Sequence, residues 1–132
     1  MNHAKWSLRV GGSFSSSHQL HNYQGKCERL HGHNFRVQVQ VSGSETDQAT
    51  GMLMDFKDLK EMLGEVLGKL DHYHINDLDF FQGISPSSEN LARFVYKSLC
   101  PLLPEHITLD WAMVAENESS RAYYQETEQR TL

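Results

Sequence analysis

Cysteine is scarce in this chain, with two in 132 residues. In a reducing compartment the pair is expected as free thiols rather than a disulfide. Surplus positive charge is missing too. Twelve Lys and Arg against seventeen Asp and Glu leave a net charge of −5, which argues against a general nucleic-acid binder. No apolar run approaches the length of a membrane-spanning helix. The opening residues MNHAKWSLRVGG also lack the apolar stretch of a secretory signal. The expectation is a cytoplasmic protein with no nucleic-acid and no membrane partner. Repeats, low-complexity tracts and linkers are absent as well, so residues 1–132 read as one domain around one core. Residues 126–132 are expected to be a frayed tail.

Histidine, by contrast, is plentiful, with eight in the chain. Two of them sit in CERLHGHNFRVQVQVSG, where Phe35, Val37, Val39 and Val41 alternate with polar residues. Alternation of period two marks a half-buried strand. His31 and His33 share parity with the apolar set, so both belong to the covered side. Buried imidazoles need a partner, because a desolvated polar ring without one is costly, and a shared metal ion satisfies both. The preceding segment supplies a third ligand. Trp6, Leu8, Val10 and Phe14 are apolar at even positions, and His18 continues that parity. A strand over 6–20 is expected, interrupted only if Gly11-Gly12 forms a bulge. Three neutral imidazoles with an open fourth position make the ligand set of a catalytic zinc, and imidazole suits zinc better than magnesium or calcium.

The remaining pattern gives the fold. Asp55 caps a helix with Phe56, Leu59, Leu63, Val66, Leu67 and Leu70 at helical spacing. After a polar, aromatic loop, Ser85-Pro86-Ser87 starts a second helix with the stripe Leu91, Phe94, Val95, Leu99 and Leu102. Cys100, near its apolar end, is expected to be packed. Ile107, Leu109, Trp111 and Met113 alternate as a third strand, and a fourth arm covers about 120–126. The order ββααββ predicts an α+β fold, a four-stranded antiparallel sheet with two helices on one face. The other face is expected to be solvated or to meet another subunit.

Several residues could carry chemistry. Cys27 stands four positions before His31. A thiol near a bound cation has a lowered pKa and can act as base or nucleophile. It could equally complete a closed, structural Cys-His3 zinc site, giving a non-catalytic module. Asp71-His72 could be a carboxylate-imidazole pair for proton transfer, with His74 competing for the same role. Glu116 and Glu118 are either a solvated strand end or a source of one carboxylate that grips a guanidine-like edge through two hydrogen bonds. Parity sets Glu116 opposite Ile107, Leu109, Trp111 and Met113 unless a bulge intervenes, which is a difficulty for any role on the core side.

Five stretches, FSSSHQLHNYQGKCERLHGHNF, GMLMDFKDLK, LDHYHINDL, PSSENLARFVY and AENESSRAYY, span residues 14–124. Together they resemble the 6-pyruvoyltetrahydropterin synthase and 6-carboxytetrahydropterin synthase family. The resemblance implies the tunnelling fold, in which identical subunits join their sheets into a barrel with active sites between subunits, and it favours a homohexamer built as a dimer of trimers. It implies zinc on His18, His31 and His33, Cys27 as the base for a substrate side-chain proton, and Asp71 with His72 as a second proton-transferring pair. It implies Glu116 as the anchor for the 2-amino-4-oxo edge of a pterin, with Ser87, Ser88 and Glu89 lining the pocket. The two serines depart from the family's usual threonine-containing segment. Lys26, with Arg29, is a candidate contact for a triphosphate. The Glu28-Arg29-Leu30 spacing between Cys27 and the HGH element is similar to the bacterial 6-carboxytetrahydropterin synthases. Those convert 7,8-dihydroneopterin triphosphate to 6-carboxytetrahydropterin, acetaldehyde and triphosphate on the way to queuosine and other 7-deazaguanine bases. Triphosphate elimination to 6-pyruvoyltetrahydropterin is the alternative activity.

Overall fold

The structure, a computed structural model, describes residues 2–21 and 31–127, and for His31 the backbone alone. Residues 22–30, with Lys26, Cys27 and Arg29 among them, lie outside the described residues. Two long strands, β1 (Trp6–His18) and β2 (His31–Gly43), pair antiparallel without interruption from Trp6 opposite Gly43 to His18 opposite His31. Gly11 and Gly12 stay in register, so no bulge forms there. Strands β3 (Thr108–Asn117) and β4 (Ser120–Tyr124) extend the sheet in the order β1-β2-β3-β4. Between β2 and β3 the chain makes helices α1 (Phe56–Gly68) and α2 (Ser88–Leu99). Both helices cover the same face of the sheet, as the alternation predicts.

Val10, Phe14, Phe35, Val37, Val39, Val41, Leu109, Ala112 and Val114 face the helices and form the core with Leu59, Leu63, Val66 and Leu67 of α1 and Leu91, Val95 and Leu99 of α2. Helix α1 begins where a carboxylate can serve its free amides. The Asp55 side chain accepts from Lys57 N–H at 2.8 Å. Losing such a cap costs about 0.5–2 kcal/mol. Asp55→Ala should therefore lower the chemical-denaturation stability by about 1 kcal/mol, and an unchanged midpoint would show that the cap contributes nothing.

Several expectations need correction. Trp6 is 46% exposed and Phe56 52% exposed, because each sits at an element end beyond the reach of the opposite layer. Leu102 is exposed as well, and Cys100 is exposed rather than packed, because the helical stripe stops at Leu99 and the chain continues as a single 3-10 turn over Cys100–Leu102. The strand expected to run to residue 20 ends at His18, and the fourth arm ends at Tyr124. Glu126 is tied down instead of frayed. Its carboxylate meets Lys97 Nζ at 2.6 Å and accepts from Tyr124 Oη at 2.6 Å, which pulls its pKa below the usual carboxylate value. Residues 128–132 lie outside the described residues.

The largest correction concerns β3. Register shifts between Gln40 and Val41, which pair with Trp111 and Leu109, so Asp110 is an extra residue. Its carboxylate accepts from Gln40 Nε2 at 2.9 Å and from Ser42 Oγ at 2.6 Å, which holds the bulge. One inserted residue flips the side-chain parity. Ala112 and Val114, opposite Val39 and Val37, face the helices, while Trp111 and Met113 turn to the other face. There Trp111 lies edge-on to Tyr123 and beneath the Arg9 guanidinium at 5.0 Å.

Candidate active site

The same bulge settles the position of Glu116. It lies opposite Trp111 and Met113, as parity requires, and those two residues are the ones that face away from the helices. Glu116 therefore arrives on the side of His18 and His33. Potential ligand atoms of His18, His33 and Glu116 lie within 4.8 Å of one another. His31 is placed by its backbone directly opposite His18.

His18 is fully buried and closely held. Its Nδ1 is 2.7 Å from the carbonyl oxygen of Pro86. A carbonyl only accepts, so Nδ1 carries the proton and donates. That fixes the tautomer and leaves Nε2 as the atom facing the site, the arrangement that orients metal-bound histidines. Nε2 is 3.7 Å from Glu116 Oε1. Either a proton on Nε2 or a metal ion between the two relieves that approach. Phe35 forms the floor, its ring 5.2 Å from that of His18 and 5.6 Å from that of His33, while the two imidazoles stand edge-on at 5.5 Å. The three side chains can hold a metal ion, and their chemistry suits one that takes nitrogen and oxygen together.

Helix α2 brings the other predicted pocket residues to Glu116. Pro86 precedes the helix instead of occupying its first turn, and this frees its carbonyl for His18. Ser87 is the N-cap, accepting from Asn90 N–H at 3.2 Å. Ser88 Oγ donates to Glu116 Oε1 at 3.5 Å, a long hydrogen bond. Ser87, Ser88, Glu89 and Glu116 line one open cleft of about 340 Å³.

Asp71 and His72 come together at a different place. After α1 the chain runs along the edge of β1, where Asp71 Oδ1 accepts from Ser15 N–H at 2.9 Å and His72 N–H donates to Ser15 O at 2.6 Å. Ser17 N–H donates to Tyr73 O at 3.2 Å, and Ser16 Oγ donates to Leu70 O. These bonds hold His72 at φ +64°, the left-handed region that a non-glycine residue enters only when its surroundings compel it. His72 Nε2 is 3.4 Å from Asp71 Oδ2, and the imidazole is 82% exposed. His74 is set differently, with Nδ1 2.9 Å from Ser17 Oγ. His72, His74 and His33 line one wide cleft of about 440 Å³, so the proton-transfer pair shares a cavity wall with one predicted metal ligand without joining the cluster. Sequence reasoning missed Pro86 and Asp110. A carbonyl has no side-chain signature, and Asp110 occupies a polar position of the alternation, so neither leaves a mark in the sequence.

The model of the 6-pyruvoyl tetrahydropterin synthase family matches residues 7–127. The chain belongs to that family. It is 41% identical over 98 residues to a 6-carboxy-5,6,7,8-tetrahydropterin synthase of Synechocystis, an alignment spanning 71% of this chain and 74% of that protein. It is also 37% identical over 115 residues to the human 6-pyruvoyl tetrahydrobiopterin synthase, covering 76% of this chain and 77% of that one. Among solved structures, the Caenorhabditis elegans 6-pyruvoyl tetrahydropterin synthase superposes with a TM-score of 0.83 at 26% identity, over 96% of this chain and 99% of that chain. The fold is thus that of the tetrahydropterin synthases, the tunnelling fold.

Proposed function

We propose that the protein is a zinc-dependent 6-carboxy-5,6,7,8-tetrahydropterin synthase, a carbon-carbon lyase. It would convert 7,8-dihydroneopterin triphosphate to 6-carboxytetrahydropterin with release of acetaldehyde and triphosphate, a step toward queuosine and related 7-deazaguanine bases. The observation that carries the reading is the committed His18 imidazole. It is buried, with Nδ1 spent on Pro86 and Nε2 turned to His33 and Glu116, in a chain of this family. The names of two curated relatives support the carboxy branch, the Synechocystis protein and a putative one of Archaeoglobus fulgidus at 36% identity. The human relative's name keeps 6-pyruvoyltetrahydropterin formation as the alternative.

In this reading His18, His31 and His33 hold the zinc, which supplies Lewis-acid stabilisation of developing negative charge when bound. Cys27 takes the substrate side-chain proton. Asp71 orients His72 for the second proton transfer, and the fixed backbone at His72 keeps that pair in place. Glu116 binds the 2-amino-4-oxo edge of the pterin, in the cleft formed with Ser87, Ser88 and Glu89. Lys26 meets the triphosphate.

Incubation with 7,8-dihydroneopterin triphosphate, with product mass and acetaldehyde followed together, tests the proposal. The carboxy product with equimolar acetaldehyde is expected. Triphosphate loss without acetaldehyde gives the pyruvoyl alternative, and no turnover by zinc-replete protein leaves a non-catalytic binding module. We further place the active sites in a homohexamer, a dimer of trimers. Among the described residues, β1 pairs only with β2 from Trp6 to Phe14, so that edge is open to another chain. Activity followed with sedimentation over a dilution series should fall as the assembly dissociates, and a fully active monomer would refute the shared site.

A further inference from the structure

One imidazole of the wide cleft has no step in the chemistry proposed above. His74 shares that cleft with His72 and His33. Its backbone is pinned on both sides. Tyr73 O accepts from Ser17 N–H at 3.2 Å, His74 O accepts from Asp77 N–H at 3.0 Å, and the next side chain, Ile75, is fully buried. A parallel bridge between Ser17 and His74 sets the two residues side by side. Ser17 Oγ then lies 2.9 Å from Nδ1 of the half-buried His74 ring. With Nδ1 taken, Nε2 is the nitrogen left for the cleft.

The partners of three imidazoles differ in kind. Pro86 O only accepts, so it fixes His18 in one tautomer. The ionised Asp71 carboxylate beside His72 also only accepts. The Ser17 hydroxyl does both. It accepts from Nδ1–H when Nε2 is bare, and that bond persists when Nε2 gains a proton. A ring held alike in both protonation states is suited to take a proton and return it without reorienting.

The two candidate products define a step for such a base. A pyruvoyl side chain carries two adjacent carbonyls. Adding one water and breaking the bond between them gives a carboxyl group and acetaldehyde. The water oxygen bonds to the ring-side carbonyl carbon and loses a proton. The carbon–carbon bond breaks, and its electron pair passes to the two-carbon fragment. That fragment takes the proton back and leaves as acetaldehyde. The water's other proton stays with the carboxyl group, and no oxidant or reductant is needed. Cys27 and the Asp71-His72 pair already have proton steps in the proposed reaction, so the water needs a base of its own. We propose that His74, oriented by Ser17, is that base, and that it directs the reaction to the carboxy product. The inference rests on the lyase reading proposed above.

Acetaldehyde and triphosphate, measured separately on the zinc-replete full chain with 7,8-dihydroneopterin triphosphate, test this. Wild type should release them in equal amounts. In His74→Gln, acetaldehyde per triphosphate should fall by about 10²-fold or more, and the product mass should become that of 6-pyruvoyltetrahydropterin. His72→Gln should instead lower both releases together. Ser17→Ala keeps the imidazole but loses its hold, so the ratio should fall by about threefold to tenfold. Ser17→Thr restores a hydroxyl and should return the ratio to within about twofold of wild type. These two variants keep the test decisive if His74→Gln folds poorly. His106→Gln removes an exposed histidine outside the cleft and should change the ratio by less than about twofold. An unchanged ratio in His74→Gln and Ser17→Ala would overturn the inference and leave the lyase standing. An equal fall in both products would move His74 to an earlier step and overturn it too. Wild-type protein that releases triphosphate but no acetaldehyde would refute the lyase reading, and the inference with it.

Discussion

Purified His33→Ala protein is expected to carry less than about a tenth of the wild-type metal content, while Cys27→Ala keeps its metal and loses turnover. The two variants separate binding from chemistry. His33 is half-buried at the end of β2, with its ring against Phe35 and His18, so truncation removes a ligand without opening the core. Changes to groups that merely orient a metal ligand cost about 10–100-fold in affinity, so loss of a ligand itself should cost more. His18 cannot compensate, because its Nδ1 is already committed to Pro86. The thiol of Cys27 enters as a base. Removing a positioned base typically lowers the rate by about 10²–10⁴-fold, with no reason for the metal to leave. Metal analysis and turnover of both variants give the answer, with Cys100→Ala as the control for an exposed thiol. Full metal in His33→Ala would end the imidazole assignment. Metal loss in Cys27→Ala would make that cysteine a fourth ligand and the site a closed structural one.

The contrast between His33 and Glu116 shows what a sequence can carry. The parity of His33 with Phe35, Val37 and Val39 is local information, and β1 and β2 pair without a single slip, so the imidazoles fall where alternation puts them. Glu116 depends on the cumulative parity of β3, and one extra residue at Asp110 reverses it. Ile107, Leu109, Trp111 and Met113 read as one apolar face because a bulge leaves no gap in the alternation. The sequence does not say that Trp111 is satisfied on the open face by Arg9 and Tyr123. Asp71-His72 was readable as a pair, yet its placement was not. The four backbone and hydroxyl bonds that lay this segment along β1 are made by groups every residue has, apart from Ser16 and Asp71. Helix starts were more legible, since Asp55 and Ser87 each serve free amides with their own side chains.

Glu116→Gln is expected to weaken pterin binding by roughly 2–4 kcal/mol, the cost of losing a charge-assisted pair of hydrogen bonds in a desolvated pocket, while the metal stays. Two roles compete for this carboxylate. Its Oε1 is 3.7 Å from His18 Nε2, near enough to share a cation, and it also faces the cleft with Ser88 and Glu89. The side chain is 30% exposed, open to an incoming ligand, whereas His18 is sealed. Glutamine keeps the shape and one acceptor but offers an N–H where two pterin donors need oxygens. As a structural control, Glu118 sits at the tip of the β3–β4 turn and lines a cavity on the opposite face, so Glu118→Gln should leave pterin affinity within about 0.5 kcal/mol. Neopterin titration and metal analysis of both variants decide the matter. Metal loss in Glu116→Gln would move the carboxylate from substrate anchor to ligand. A larger binding defect in Glu118→Gln would mean that β4 presents a different residue to the pterin and that the anchor assignment is displaced by two positions.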